Sequence, residues 1–143
     1  MVVLITGGAG YIGSHTSVEL LQEGYDIIIV DNFSNSKPET LGKIKDITGK
    51  EFINYDIDLL DKDELKRIFI ENNIEAVIHF AGYKAVGESV NEPLKYYTNN
   101  IIGTLNLIET MVEFNIKNIV FSSSATVYGD PKELPIKEDF PLS

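Results

Sequence analysis

The strongest constraint on the fold is an alternation. Short β-branched apolar runs at Val2 to Thr6, Asp26 to Val30, Glu51 to Tyr55, Ala76 to Phe80 and Asn118 to Ser122 are separated by longer stretches with helical patterning. Consecutive parallel strands need crossover connections, and a strand and helix repeating roughly every 25 residues supplies them. The sequence therefore predicts an α/β domain: a doubly wound, mostly parallel sheet with helices on both faces. Runs such as DIIIV and AVIHF are apolar at nearly every position, as suits strands covered on both sides.

The helical stretches carry start and stop residues. Ser36 is expected as an N-cap, with Pro38 in the first turn, Glu39 at the capping-box position and Gly49 beyond the last apolar residue. Asp61 and Glu64 repeat the N-cap relation before Leu65, Ile68 and Phe69. A further helix should begin around Pro93, where Leu94, Tyr97, Ile101, Leu105, Ile108 and Val112 recur every three or four residues and read as a packing stripe. Asn99 and Asn100 interrupt that helix with mediocre helix formers, which suggests a polar task for one of them.

Length and charge narrow the function classes. The 143 residues, 43% hydrophobic, suit one domain with a sizeable core. Twenty-two acids against 12 bases give a formal charge of −10, which argues against nucleic acid or an anionic membrane surface as partner. Without cysteine there is neither a disulfide framework nor a thiolate metal site, and a reducing, cytoplasmic location is expected. His15 and His79 lie far apart, so no metal centre is expected; His79, inside an apolar strand, reads as a hydrogen-bonded core residue. The apolar start MVVLITGG has no basic leader and is too short to cross a membrane.

The first strand runs into TGGAGYIGSH, in which Gly8, Gly10 and Gly13 satisfy G-x-G-x-x-G and Gly7, Gly10 and Gly13 satisfy G-x-x-G-x-x-G. The loop follows a strand, opens a helix, and precedes by about 20 residues an acid, Asp31, at the end of the second strand. This is a Rossmann-like dinucleotide fingerprint: glycines let the backbone approach a pyrophosphate, and the helix N-terminus meets its charge. Asp31 would accept from the adenosine ribose hydroxyls and repel an added phosphate; with only Lys37 as a nearby cation, NAD is favoured over NADP. Asp56 and Ile57 follow the third strand at the carboxyl edge of the sheet, where the local sequence suits either an adenine contact or a solvated loop acid.

TGGAGYIGSHT, DNFSNS, VIHFAGYKAVGES, YYTNNIIGT and FSSSATVYGD together resemble the UDP-glucose (UDP-galactose) 4-epimerase branch of the extended short-chain dehydrogenase/reductase family, along the whole chain. The lysine-containing FAGYKAVGES and the triple-serine SSSATVYG are the epimerase-specific segments. The resemblance implies NAD as a resident cofactor and epimerisation at C4 of a UDP-hexose through a transient 4-keto sugar, a reaction of galactose metabolism. It implies that Tyr11 and Ile12 lie along the pyrophosphate and that Asp31, Asn32, Phe33, Ser34, Asn35 and Ser36 surround the ribose, with Asp56 and Ile57 flanking the adenine. Phe80, Ala81, Gly82, Tyr83, Lys84 and Asn99 would line the nicotinamide half, joined by Ser122. Ser124 would be the catalytic serine, and Lys84 and Thr126 would meet the UDP-sugar with it. Homodimers are frequent in this family, and a homodimer is the implied assembly.

YGDPK, from Tyr128 to Lys132, spells the Tyr-x-x-x-Lys pair of such enzymes. The two side chains must lie one helical turn apart to work together, and Gly129, Asp130 and Pro131 oppose a helix between them. This stretch is therefore expected to be a loop. Residues 1–143 are accordingly expected to be the N-terminal, NAD-binding portion of a longer enzyme, inactive alone, with the Tyr/Lys base and the rest of the sheet further on. The competing readings are another extended reductase acting on a sugar nucleotide, such as a dehydratase or uronic acid epimerase, and a non-catalytic NAD-binding module.

Overall fold

A computed structural model describes residues 1–143. The five apolar runs form strands β1 (Val2–Thr6), β2 (Asp26–Asp31), β3 (Ile53–Asp56), β4 (Ala76–His79) and β5 (Asn118–Phe121) of one parallel sheet, in the order β3-β2-β1-β4-β5. The chain winds outward from β1 through β2 to β3, then crosses back to place β4 on the other side of β1. The β1/β4 junction is thus the switch point, where the carboxyl ends of adjacent strands open a crevice.

Helices α1 (Tyr11–Gln22), α2 (Glu39–Thr48), α3 (Lys62–Glu71), α4 (Val86–Asn91), α5 (Pro93–Tyr97) and α6 (Gly103–Glu113) supply the outer layers. Alternate residues of the central strands feed two cores. Leu4, Ile28, Val30 and Val77 pack with Leu65, Ile68 and Phe69 of α3 and Leu107 and Met111 of α6. Val3, Ile5, Ile27 and Ile29 pack on the other face with Leu21 of α1 and Ile44 of α2. This two-sided burial is why β1 and β2 are apolar without alternation.

Two helix ends follow their sequence signals. Asp61 caps α3 by accepting from the Glu64 N–H at 3.1 Å, and Gly49 ends α2 in the left-handed region at φ 64°. The N-cap role expected of Ser36 is not realised. Helix α2 begins at Glu39 behind Pro38, without a side-chain cap, and Ser36 instead donates its hydroxyl to Asp31 Oδ1 at 2.8 Å.

The helix expected from Pro93 is one continuous helical segment broken in character. Thr98–Ile102 forms a π turn between α5 and α6. The stripe of Leu94, Tyr97, Ile101, Leu105, Ile108 and Val112 is exposed rather than packed, with Leu94 at 79% and Val112 at 73%. The buried side is the opposite one, carrying Tyr96, Gly103, Leu107, Thr110 and Met111. Beside it, β5 forms a sheet edge on which Ile119, Val120 and Phe121 are also exposed. No helix is long and apolar enough to cross a membrane.

Candidate dinucleotide-binding site

The loop after β1 is shaped by two glycines that no other residue can replace. Gly7 has φ +70°, and a Cβ there would sit 2.7 Å from the Ala81 backbone nitrogen, so the loops after β1 and β4 meet backbone to backbone. A Cβ on Gly13 would lie 2.2 Å from the Gly7 carbonyl, so α1 packs directly onto the loop. Helix α1 then starts from Gly10 with no side-chain cap and no acid in its first turn. Its first N–H groups and the positive end of its dipole are left for an anion.

Asp31 ends β2 beside this loop and is 9% exposed. Its Oδ2 accepts from the Ala9 N–H at 2.9 Å, and its Oδ1 accepts from the Phe33 N–H at 3.0 Å as well as from Ser36. One carboxylate thus orders both the glycine loop and the loop that follows β2. A carboxylate offers about four acceptor positions, and three protein donors leave one for a further hydroxyl.

Between these loops lies an open cleft. Its wall includes Gly7, Gly10, Asp31, Asn32, Ser34, Asn35, Ser36 and Ile57 on one side, and Phe80, Ala81, Gly82, Tyr83 and Asn99 on the other. Thirteen residues singled out from the sequence therefore converge here from five separate stretches of chain. Three lining residues had no advance signal: Val30, Asp58 and Leu59. Asp58 accepts from Asn32 Nδ2 at 2.8 Å and from the Leu60 N–H at 2.9 Å. Asp56 is exposed outside the cleft wall, as the last residue of β3, where it pairs in register with Asp31. Two carboxylates and no cation line the end of the cleft near β2 and β3, so an added phosphate there is disfavoured, and Lys37 is exposed away from the wall.

The remaining residues singled out from the sequence stand around the cleft rather than in its wall. Tyr11, Ile12 and Gly13 form the first turn of α1, with Tyr11 and Ile12 exposed; Phe33 occupies the left-handed region at φ 52°. Lys84 is exposed on the loop after β4. Ser122 follows β5, and its N–H donates to the His79 carbonyl at 3.1 Å. Ser124 and Thr126 are exposed beyond the carboxyl edge of β5, where the Thr126 hydroxyl donates to Ser124 Oγ at 2.9 Å in a short 3-10 turn, Ala125–Tyr128. Tyr128 ends that turn and Gly129 leaves it at φ 60°, so Tyr128 and Lys132 share no helix, as the intervening residues require.

His79 is buried as a core residue. Its Nδ1 lies 2.6 Å from Thr6 Oγ1 and its Nε2 2.8 Å from Thr104 Oγ1. Burial, reinforced by the nearby Lys84 charge, lowers its pKa from 6.5 to about 4, so the imidazole is neutral at physiological pH.

A glycine loop opening a helix, a buried acid at the end of the next strand and a cleft at the switch point define a dinucleotide-binding α/β domain. The sequence matches the NAD dependent epimerase/dehydratase family over residues 3–143, and the chain belongs to that family. It is 62% identical over 142 residues to the UDP-glucose 4-epimerase of Bacillus subtilis (strain 168), covering 99% of this chain and 42% of that protein. It is 57% identical over 141 residues to the UDP-glucose 4-epimerase of Dictyostelium discoideum, covering 99% and 41%. Among solved structures, UDP-glucose 4-epimerase from Bifidobacterium longum in complex with NAD+ and UDP superposes with a TM-score of 0.94 at 56% identity, over 100% of this chain and 43% of that one. The Stenotrophomonas maltophila UDP-glucose 4-epimerase with bound NAD and formylated UDP-arabinopyranose gives 0.93 at 43% identity, over 100% and 43%. The chain thus spans about two fifths of the length of the relatives it matches.

Proposed function

We propose that this chain is the NAD-binding portion of an enzyme that interconverts UDP-glucose and UDP-galactose by inversion at C4. The observation that carries the reading is the convergence on one cleft of Gly7, Gly10, Asp31, the Phe80 to Tyr83 loop and Asn99, in a chain 62% identical to a UDP-glucose 4-epimerase. The cleft suits NAD: backbone N–H groups at the start of α1 for the pyrophosphate, Asp31 with one acceptor position for ribose, and an acidic adenosine end that disfavours a further phosphate.

When bound, the nicotinamide supplies a reversible hydride acceptor. The chain's own residues would position and exclude. Ser124, with Thr126 beside it, would hydrogen-bond the sugar 4-oxygen, and Lys84 would lie where the substrate meets the cofactor. A Tyr-x-x-x-Lys pair on a helix beyond residue 143 would supply the base, because Tyr128 and Lys132 are not arranged to do so. The exposed edge of β5 is consistent with further chain lying against it.

We also infer a homodimer built on the α5–α6 segment, whose exposed stripe from Leu94 to Val112 is a continuous apolar ridge of the kind that interfaces cover. A cytoplasmic location fits the absence of cysteine.

Incubating the full-length protein with UDP-galactose tests the reading. Formation of UDP-glucose without added NAD supports it, and a 4-keto-6-deoxy or C5-inverted product would assign the site to a dehydratase or uronic acid epimerase instead.

A further inference from the structure

We propose that Asn100 is a positioning residue for the cleft, clamping both backbone groups of Tyr83 and so fixing the wall against which the nicotinamide half of NAD is held. The proposal rests on the NAD reading given above.

Asn100 lies in the π turn, whose extra residue widens the helix between α5 and α6. The consecutive residues Asn99 and Asn100 are there divided between two tasks. Asn99 lines the cleft, whereas Asn100 turns to the loop after β4. Asn100 Oδ1 accepts from the Tyr83 N–H at 2.8 Å, and its Nδ2 donates to the Tyr83 carbonyl at 2.9 Å. Asn99 Nδ2 donates to the same Oδ1 at 2.9 Å. An amide can accept from one backbone group and donate to the other through its two separate atoms; a carboxylate can do the first and not the second.

The clamp is itself anchored in the sheet. The Thr104 hydroxyl donates to the Asn100 carbonyl at 2.6 Å. Having given its one proton to a carbonyl, Thr104 Oγ1 can only accept from His79, which makes Nε2 the protonated nitrogen and Nδ1 the acceptor of the Thr6 hydroxyl. The hydrogen bonds therefore run in sequence from the end of β1 through β4 to the π turn and on to the loop. The Tyr83 ring is held as well, with the Tyr96 ring centroid at 5.4 Å and Lys95 Nζ at 5.2 Å. Asn100 is not part of the cleft wall, so its effect on a bound molecule passes through Tyr83.

The test uses the full-length protein. Asn100→Asp keeps the size and the acceptor for the Tyr83 N–H but sets a second acceptor against the Tyr83 carbonyl. NAD affinity of the apoprotein, its melting temperature, and the fluorescence emission of bound NADH are measured together. The expected result is NAD binding weakened about tenfold and NADH emission moved towards that of the free cofactor. A purely structural residue would lower the melting temperature and leave affinity below melting unchanged. Affinity within about twofold of wild type, with unaltered emission, overturns the proposal. Should the charged variant not fold, Asn100→Ala removes both bonds and carries the same expectation. Wild-type protein that binds no NAD would defeat the NAD reading itself, a different outcome from a wild type that binds and a variant that binds equally well.

Discussion

Asp31 and Ala9 are joined by a 2.9 Å hydrogen bond that ties the end of β2 to the glycine loop. The same carboxylate takes the Phe33 N–H and the Ser36 hydroxyl, so the order of both loops rests on one side chain, the one proposed above to meet the ribose. Asp31→Asn must turn an NH2 group towards a donor at one of its two oxygens. Unfolding in urea should show a loss of about 2 kcal/mol, with weaker NAD binding alongside. A variant as stable as wild type, with unchanged NAD affinity, would contradict this role.

The contact between Gly7 and Ala81 brings the first and fourth strand ends together without side chains between them. Gly7→Val combines a strained φ with overlap on the Ala81 backbone, so the loops must part. Loss of NAD binding, with a fall in stability of about 2 kcal/mol or more, is expected by calorimetry and thermal unfolding.

His79 gives the fold a pH dependence of defined sign. Its folded pKa of about 4 lies below the ordinary 6.5, so the unfolded chain binds the proton more readily between those values. Its contribution is fully present above pH 6.5 and is lost as pH falls towards 4, by on the order of 3 kcal/mol. The acidic residues add their own acid sensitivity, so the quantity to read is the difference between wild type and His79→Gln across this window. The wild type should lose stability more steeply; parallel curves would contradict the assignment.

The α5–α6 stripe predicts assembly rather than stability. Leu105 and Val112 are 51% and 73% exposed, so Leu105→Glu with Val112→Glu should leave the fold's stability nearly unchanged. Sedimentation of the full-length protein should show a dimer for wild type and a monomer for the double variant. A wild-type monomer would remove the stripe's proposed partner.

Much of this architecture was legible in the residue order, for reasons that differ by element. The central strands β1 and β2, buried on both faces, announce themselves as unbroken apolar runs, and all five strands follow their predicted runs to within two residues at either end. The glycine loop was legible because its geometry tolerates nothing larger at Gly7 and Gly13. Periodicity located the α5–α6 stripe but not its direction: Leu107, Met111 and Tyr96 define a second, buried side, and spacing alone does not rank the two. Helix α4 went unseen because Val86–Asn91 is short, contains Gly87 and has no buried residue to set a period. The π turn has no propensity signature of its own, and the polar pair Asn99 and Asn100 was its one trace. Asp58 was hidden behind Asp56, since which acid reaches the cleft depends on where β3 stops and the chain turns.

The most direct test follows the hydrogen at C4. Inversion through a transient 4-keto sugar moves that hydrogen off the carbon and back to it within one site, with no net oxidation. Full-length protein given UDP-galactose deuterated at C4 should yield UDP-glucose that keeps the deuterium at C4, with no accumulation of reduced cofactor. Product carrying solvent hydrogen at C4, or deuterium moved to another carbon, would contradict the account.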